Sequence, residues 1–151
     1  MNANKPVWEL KIDRLISAPR ERVYKAWTDP EQMKRWFAPK PFELVVAKMD
    51  FRVGGRFEMA MKGPEGSHFP FTGTYRVIEP GKTLEWTGEF TEGPVDQMTT
   101  TVTFADEGGK TRVTAHQRFF VMTETIKRAT AGAQRGWGMT MDQLTAYVEG
   151  K

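Results

Sequence analysis

Apolar and polar side chains alternate along the chain from Val7 onward. Trp8, Leu10 and Ile12 are separated by Glu9, Lys11 and Asp13. That period of two predicts a strand over 7–16 with one buried face, and Ala18-Pro19 ends it. Pro19 suits the first turn of a helix, where its missing N–H is not needed, and Val23, Ala26 and Trp27 follow at helical spacing, so a helix is predicted to about Trp27. Asp29-Pro30 repeats the signal, with Asp29 as cap, Pro30 at the first helical position, and Met33, Trp36 and Phe37 as the apolar stripe.

After Pro39 and Pro41 the pattern changes to alternating, β-branched segments that fill 42–120 and predict a meander of about six strands. Gly54-Gly55, Gly63-Pro64-Glu65-Gly66, Glu79-Pro80-Gly81, Glu92-Gly93-Pro94 and Asp106-Glu107-Gly108-Gly109 mark the turns, so neighbouring strands pair antiparallel through hairpins. From Glu124 to about Glu149 the period is helical again. Ala129, Ala133, Trp137, Met141, Leu144 and Val148 share a face, Thr123 is placed to cap it, and a helix of about 24 residues would be ~36 Å long.

The order strand, two short helices, strands, long helix is an α+β arrangement: a curved antiparallel sheet of about seven strands wrapped around the C-terminal helix. Residues 7–151 read as one domain behind a flexible tail at 1–6. Alternation assigns the inward side chains as Phe57, Met59 and Met61, then Phe71, Tyr75 and Val77, then Leu84, Trp86 and Phe90. The last two strands add Met98, Val102 and Phe104, then Val113, Ala115 and Phe119.

The terminal helix carries a local conflict, because Gly132, Gly136 and Gly138 each cost ~1 kcal/mol relative to alanine in a helix interior. With Ala129 and Ala133, Gly132 and Gly136 make a small-residue strip that either admits a strand closely or leaves volume unfilled; Gly138 lies off the strip, where a kink is expected. Unfilled volume would make a pocket for an apolar or aromatic molecule, walled by the strip with Met59, Met61, Tyr75, Trp86 and Trp137. The other candidate ligand-binding positions are Trp36, Phe37, Phe57, Phe71, Met98, Phe119 and Met141. Nine methionines make such a lining adaptable, and the same residues also read as core filler.

Composition narrows the chemistry. A chain of 151 residues with 39% hydrophobic and 27% charged residues is neither disordered nor repetitive. No apolar run reaches the ~18 residues of a membrane span, and the charges within 1–10 do not suit a signal peptide; a cytoplasmic location away from membranes is expected. The absence of cysteine removes thiol nucleophiles, thiolate metal sites and disulfides. His68 and His116 lack metal-ligand spacing, and no phosphate loop or nucleophile elbow is present, so neither a metal nor a cofactor is expected. Glu58, Glu85, Glu89, Arg56 and Arg76 project outward in this register, which leaves Tyr75 and Gln117 as the inward polar groups. Net charge is only +3, and the basic stretch from Lys110 to Arg135 reads as a solvated face rather than a nucleic-acid surface.

Several local sequences carry a resemblance over nearly the whole chain: Ala18-Pro19 with Val23, Thr28-Asp29-Pro30-Glu31, Trp36-Phe37-Ala38-Pro39, Asp50-Phe51-Arg52-Val53-Gly54-Gly55, Gly73-Thr74-Tyr75, and Gly136-Trp137 with Asp142-Gln143-Leu144 and Tyr147. Their order resembles the heat shock protein 90 ATPase activator homologues, a branch of the START-like, polyketide-cyclase-like superfamily with the helix-grip fold. The resemblance implies a sheet gripping a C-terminal helix around a cavity. It does not choose among the superfamily's activities. Three readings follow: binding of a hydrophobic small molecule; a co-chaperone-like or stress-related module that contacts a chaperone or other protein through the basic face and Trp36-Phe37; or a cyclase- or dehydratase-like enzyme, for which no catalytic motif is found. Monomer and homodimer are equally compatible with the sequence.

Overall fold

In chain order the elements are β1 (Trp8–Ile16), α1 (Arg20–Thr28), α2 (Pro30–Trp36), β2 (Glu43–Met49), β3 (Arg56–Lys62), β4 (His68–Glu79), β5 (Thr83–Glu89), β6 (Met98–Glu107), β7 (Lys110–Phe119), α3 (Glu124–Ala131) and α4 (Ala133–Glu149). They come from a computed structural model that describes residues 5–89 and 98–150. The first four residues of the expected tail, the inward placement of Phe90 and the turn at Glu92-Gly93-Pro94 lie outside those residues. The strands form one curved antiparallel sheet in the order β1-β7-β6-β5-β4-β3-β2, the α+β helix-grip arrangement. Hairpins link β2 through β5 in sequence order, and β1 pairs with β7, Trp8 opposite Phe119.

The helix starts follow the predicted chemistry. Asp29 Oδ1 accepts the Glu31 amide at 3.0 Å with Pro30 opening α2, and Thr123 Oγ1 accepts the Ile126 amide at 3.1 Å at the start of α3. Each bond satisfies one of the amides that a helix start leaves without a partner. The indole N–H of Trp36 donates to Ala26 O at 3.0 Å and ties α2 to α1.

The C-terminal helix departs from the single rod expected between Glu124 and Glu149. It breaks at Gly132, with φ −115° and ψ 10°, which ends α3 and starts α4. Helical spacing continues through the break, which is why the pattern reads as one helix. Gly138, by contrast, does not break the helix: α4 runs through that residue, with Ile12 Cδ1 and Arg14 Nη2 each 3.7 Å from where its Cβ would stand. Nor does the last helix cover the sheet alone. Helix α4 packs on β1, α2 packs on β2, and α1 reaches β6 and β7, so three helices share the buried face.

Among the described residues alternation places the inward side chains correctly except on β4. The ladder shifts between Tyr75 and Val77, so Ile78 opposes Leu84 and packs on the core in place of the expected Val77. A bulge of this kind adds one residue to one strand and reverses the faces beyond it. A second shift lies between Leu44 and Val46 on the edge strand β2.

Gly73 and Gly88 stand opposite each other in the middle of the sheet. A Cβ on Gly73 would lie 1.9 Å from Thr87 O and 2.4 Å from Phe57 Cζ, and one on Gly88 would lie 2.3 Å from Met98 Cε. Two large side chains therefore lie across bare backbone, Phe57 over Gly73 and Met98 over Gly88, in space that any Cβ would take from them.

Gln143 on α4 makes the most economical tertiary tie. Its Nε2 donates to Trp36 O at 2.9 Å and Ala38 O at 2.7 Å, and its Oε1 accepts the Lys40 amide at 3.1 Å. One amide side chain thus holds the backbone that carries Trp36 and Phe37. Arg14 adds a second tie, with Nε donating to Asp142 Oδ1 at 2.8 Å and Nη2 to Gly138 O at 3.4 Å.

Two expectations follow. Gly73→Ala should destabilise the fold by about 3 kcal/mol or more through forced repacking, whereas Gly138→Ala, whose new Cβ would meet ordinary contacts, should gain up to ~1 kcal/mol of helix propensity; urea midpoints distinguish the two. Gln143→Leu should cost ~1–3 kcal/mol by stranding backbone groups and should speed hydrogen exchange of the Lys40 amide.

Candidate functional site

A small cavity of about 20 Å3 lies between the sheet and the first two helices. Phe57 and Met59 face it from β3, Phe71 and Tyr75 from β4 and Trp86 from β5; Trp27 of α1, Met33 of α2 and Phe37, which caps α2, close it from above. The strand residues reach it by alternation, and Phe57 lies over Gly73. Tyr75 is fixed at its backbone: Gly54 N donates to Tyr75 O at 2.8 Å and Tyr75 N to Gly55 O at 2.9 Å. Its ring meets Phe51 at 5.1 Å and Phe57 at 5.5 Å.

Trp27 is the centre of the aromatic cluster. Its ring centroid lies 4.6 Å from that of Trp36, 6.1 Å from Phe37, 6.0 Å from Trp86, 6.3 Å from Phe104 and 6.4 Å from Trp137, the last nearly parallel at 17°. Mostly edge-to-face geometry of this kind adds to the area each ring buries.

The described wall residues are aromatic and thioether side chains, with one phenol, that of Tyr75, and two indoles, those of Trp27 and Trp86, among them. Burial pushes the Tyr75 phenol up from its ordinary value, so at neutral pH it is an uncharged hydrogen-bonding group and not a base. Among the described residues no aspartate, glutamate, histidine, lysine or arginine borders the space.

Of the positions proposed from sequence, Phe37, Phe57, Met59, Phe71, Tyr75 and Trp86 meet at this cavity. The other eight do not border it. Trp36 is 1% exposed and sits one ring behind, against Trp27. Trp137 stacks on the far side of the same cluster, Met141 is fully buried in the core, and Met61 is half-buried at its margin. Met98 lies over Gly88, and Phe119 packs edge-on to Trp8 at 5.3 Å. The small-residue strip is elsewhere: Gly132 is exposed with open space at its Cβ position, and Gly136 faces Pro39. Trp27 and Met33 are the wall residues that the pattern did not single out. Both stand on the apolar stripes of the two short helices, and that was the available signal.

The histidines and carboxylates considered from the sequence lie on the sheet surface, apart from Glu89, whose side chain lies outside the described part of the structure. His116 pairs with Glu9 at 2.7 Å, His68 is exposed, and among the described residues no group of histidines and carboxylates is arranged to hold a metal. Glu58 is exposed, and Glu85 accepts from Thr101 Oγ1 at 2.8 Å with Arg118 beside it at 3.5 Å. Gln117 does point inward, donating to Thr100 Oγ1 at 3.4 Å, but does not border the cavity. The contact surface expected at Trp36-Phe37 is absent, because both rings are inside the core. A broad polar depression at Lys48, Asp50, Arg52, Arg56 and Glu58 has mixed charge, with Arg52 paired to Asp50 at 2.9 Å. Among the described residues no helix is long and apolar enough to cross a membrane.

Comparison with known proteins agrees with this geometry. Residues 17–149 match the family described as activator of Hsp90 ATPase homolog 1-like protein. A search of the curated proteins finds no match. Among solved structures, the chain is similar to a Nitrosomonas europaea protein at 29% identity, with 93% of this chain and 94% of that one covered and a TM-score of 0.82. It is also similar to a Chromobacterium violaceum protein at 30% identity, covering 94% and 98% with a TM-score of 0.80. The AHSA1-like protein from Aeromonas hydrophila is 28% identical over 95% of this chain and 93% of its own, with a TM-score of 0.75.

Below the ordinary tyrosine value of 10.0 the Tyr75 phenol is protonated whether the chain is folded or not, and it adds no pH dependence to stability. Above it the unfolded chain ionises while the folded one holds its proton, so stability falls as pH rises, by up to ~1.4 kcal/mol per pH unit. Urea unfolding at pH 8 and at pH 11 should therefore show a steeper loss for the wild type than for Tyr75→Phe.

Proposed function

The chain belongs to the activator of Hsp90 ATPase homolog 1-like family, and we propose that it binds an apolar or aromatic small molecule between the sheet and its helices, at the cavity bounded by Trp27, Phe57, Tyr75 and Trp86. The family fold is compatible with a small ligand. The observation that carries the reading is the composition of the wall: among the described residues it is aromatic rings and thioethers without a charged group, set where sheet and helices meet.

At about 20 Å3 the cavity has room for a water-sized guest, whereas a benzene-sized guest needs on the order of 150 Å3. Binding therefore proceeds by side-chain displacement. Met33 and Met59 supply it, since unbranched thioether chains change rotamer at little cost. Phe71 and Trp86 are half-buried and form the rim. Trp27, Phe57 and Tyr75 stay fixed, held by the ring cluster and the backbone bonds at Gly54 and Gly55.

The enzymatic reading has less support. Proton transfer needs a group whose pKa lies near the working pH, and the wall's titratable side chain is a phenol pushed away from it. The contact-module reading loses Trp36 and Phe37, both of which are spent on the core.

N-phenyl-1-naphthylamine, an uncharged fluorophore that brightens in apolar surroundings, tests the proposal. A saturable 1:1 rise in emission is expected with the wild type. Met59→Phe, which puts a stiff ring into the displaceable part of the wall, should weaken it about tenfold. Emission that rises without saturating up to the solubility limit of the probe would remove the binding role.

A further inference from the structure

Trp27 carries a polar atom whose needs the fold does not meet. The residue is 2% exposed, and its indole Nε1 is buried with no hydrogen-bond partner among the described residues. The contrast with Trp36 is informative, because that neighbouring indole donates to Ala26 O at 3.0 Å. Buried donors are nearly always paired, and one that is not carries a desolvation penalty that calls for a reason. The rings packed around Trp27 are those of Trp36, Phe37, Trp86, Phe104 and Trp137, and a π face gives an N–H donor only a weak contact in place of a full hydrogen bond. The open space that Trp27 borders is the cavity.

From these observations we infer that the cavity selects neutral guests carrying a hydrogen-bond acceptor, such as a ketone, ester or ether oxygen, and that Trp27 Nε1 is the donor that reads it. This rests on the binding role proposed above and deepens it into a chemical class. Charged guests are disfavoured because none of the described wall residues would compensate their desolvation. Plain hydrocarbons fit the apolar wall but leave the indole donor unpaired. A guest that meets the donor gains at no cost in rearranging it, since the indole is already locked among its neighbours. A polar site discriminates in this way against an isostere that lacks the matching atom.

Two probes of matched shape separate the class from the pocket itself: acetophenone, and α-methylstyrene, in which a methylene replaces the carbonyl oxygen. Binding to 15N-labelled protein is followed at the tryptophan side-chain N–H resonances, with that of Trp27 assigned by its loss in Trp27→Phe or, in the wild type, by nuclear Overhauser contacts with the Trp36, Phe37 and Trp86 rings that surround it. Acetophenone is expected to bind about three- to tenfold more tightly than the styrene and to move the Trp27 indole proton downfield, a shift the styrene does not produce. In Trp27→Phe the preference should vanish while styrene binding persists. Equal affinity for both probes with an unmoved indole proton would overturn the assignment of Trp27 and leave the pocket standing. Saturable binding of neither probe, up to their solubility limits, would overturn both. The wild-type comparison needs no variant, so it decides the matter even if Trp27→Phe does not fold.

Discussion

The indole of Trp27 ties the layers of this fold together. It is offered by α1, meets Trp36 and Phe37 of the α2 region on one side, Trp86 and Phe104 of the sheet on another, and Trp137 of α4 on a third. Each ring fixes the distance between two elements, so the depth of the space between helices and sheet is set by aromatic contact rather than by backbone. A side chain of this size at the crossing point leaves small mismatches at its edge, and the cavity beside Trp27 and Phe57 is such a mismatch.

Polar ties act around that cluster in a different way. Gln143 and Arg14 reach from α4 and β1 to backbone carbonyls and to Asp142, and thereby orient α4 against the segment that delivers Phe37. The two motifs that contain Trp36-Phe37-Ala38-Pro39 and Asp142-Gln143-Leu144 are therefore halves of one interaction. The Asp50-to-Gly55 motif does similar work at Tyr75, with positive φ at Gly54 (85°) closing the turn and Gly55 receiving the Tyr75 amide. What links the scattered motifs is the placement of a few rings.

Much of the architecture is readable in the sequence because period and punctuation are local signals. The strand at Trp8–Ile16, both short helices with the Asp29 cap, the turns at Gly54, Gly66, Gly81 and Gly108-Gly109, and the Thr123 cap all follow from residues close to one another. The bulge that exchanges Val77 for Ile78 does not, since both residues are apolar and either register satisfies the pattern. The break at Gly132 is similarly hidden, as glycine alone does not tell a costly helix interior from a helix end. The site was half visible. Alternation finds Phe57, Met59, Phe71, Tyr75 and Trp86, whereas the opposite wall depends on how α1 and α2 lie across the sheet, a long-range fact that no local spacing records.

The pairing of β1 with β7 sets Trp8 against Phe119, more than a hundred positions apart along the chain. A ribosome releases β1 well before its neighbour in the sheet, so on the nascent chain Trp8, Leu10 and Ile12 wait with their apolar faces unmatched while the meander forms. Contacts of such long separation slow folding and prolong the exposure of sticky surface. The alternating charges of Glu9, Lys11 and Asp13 on the other face of that strand fit this interval, keeping a solitary early strand soluble until its late neighbour arrives.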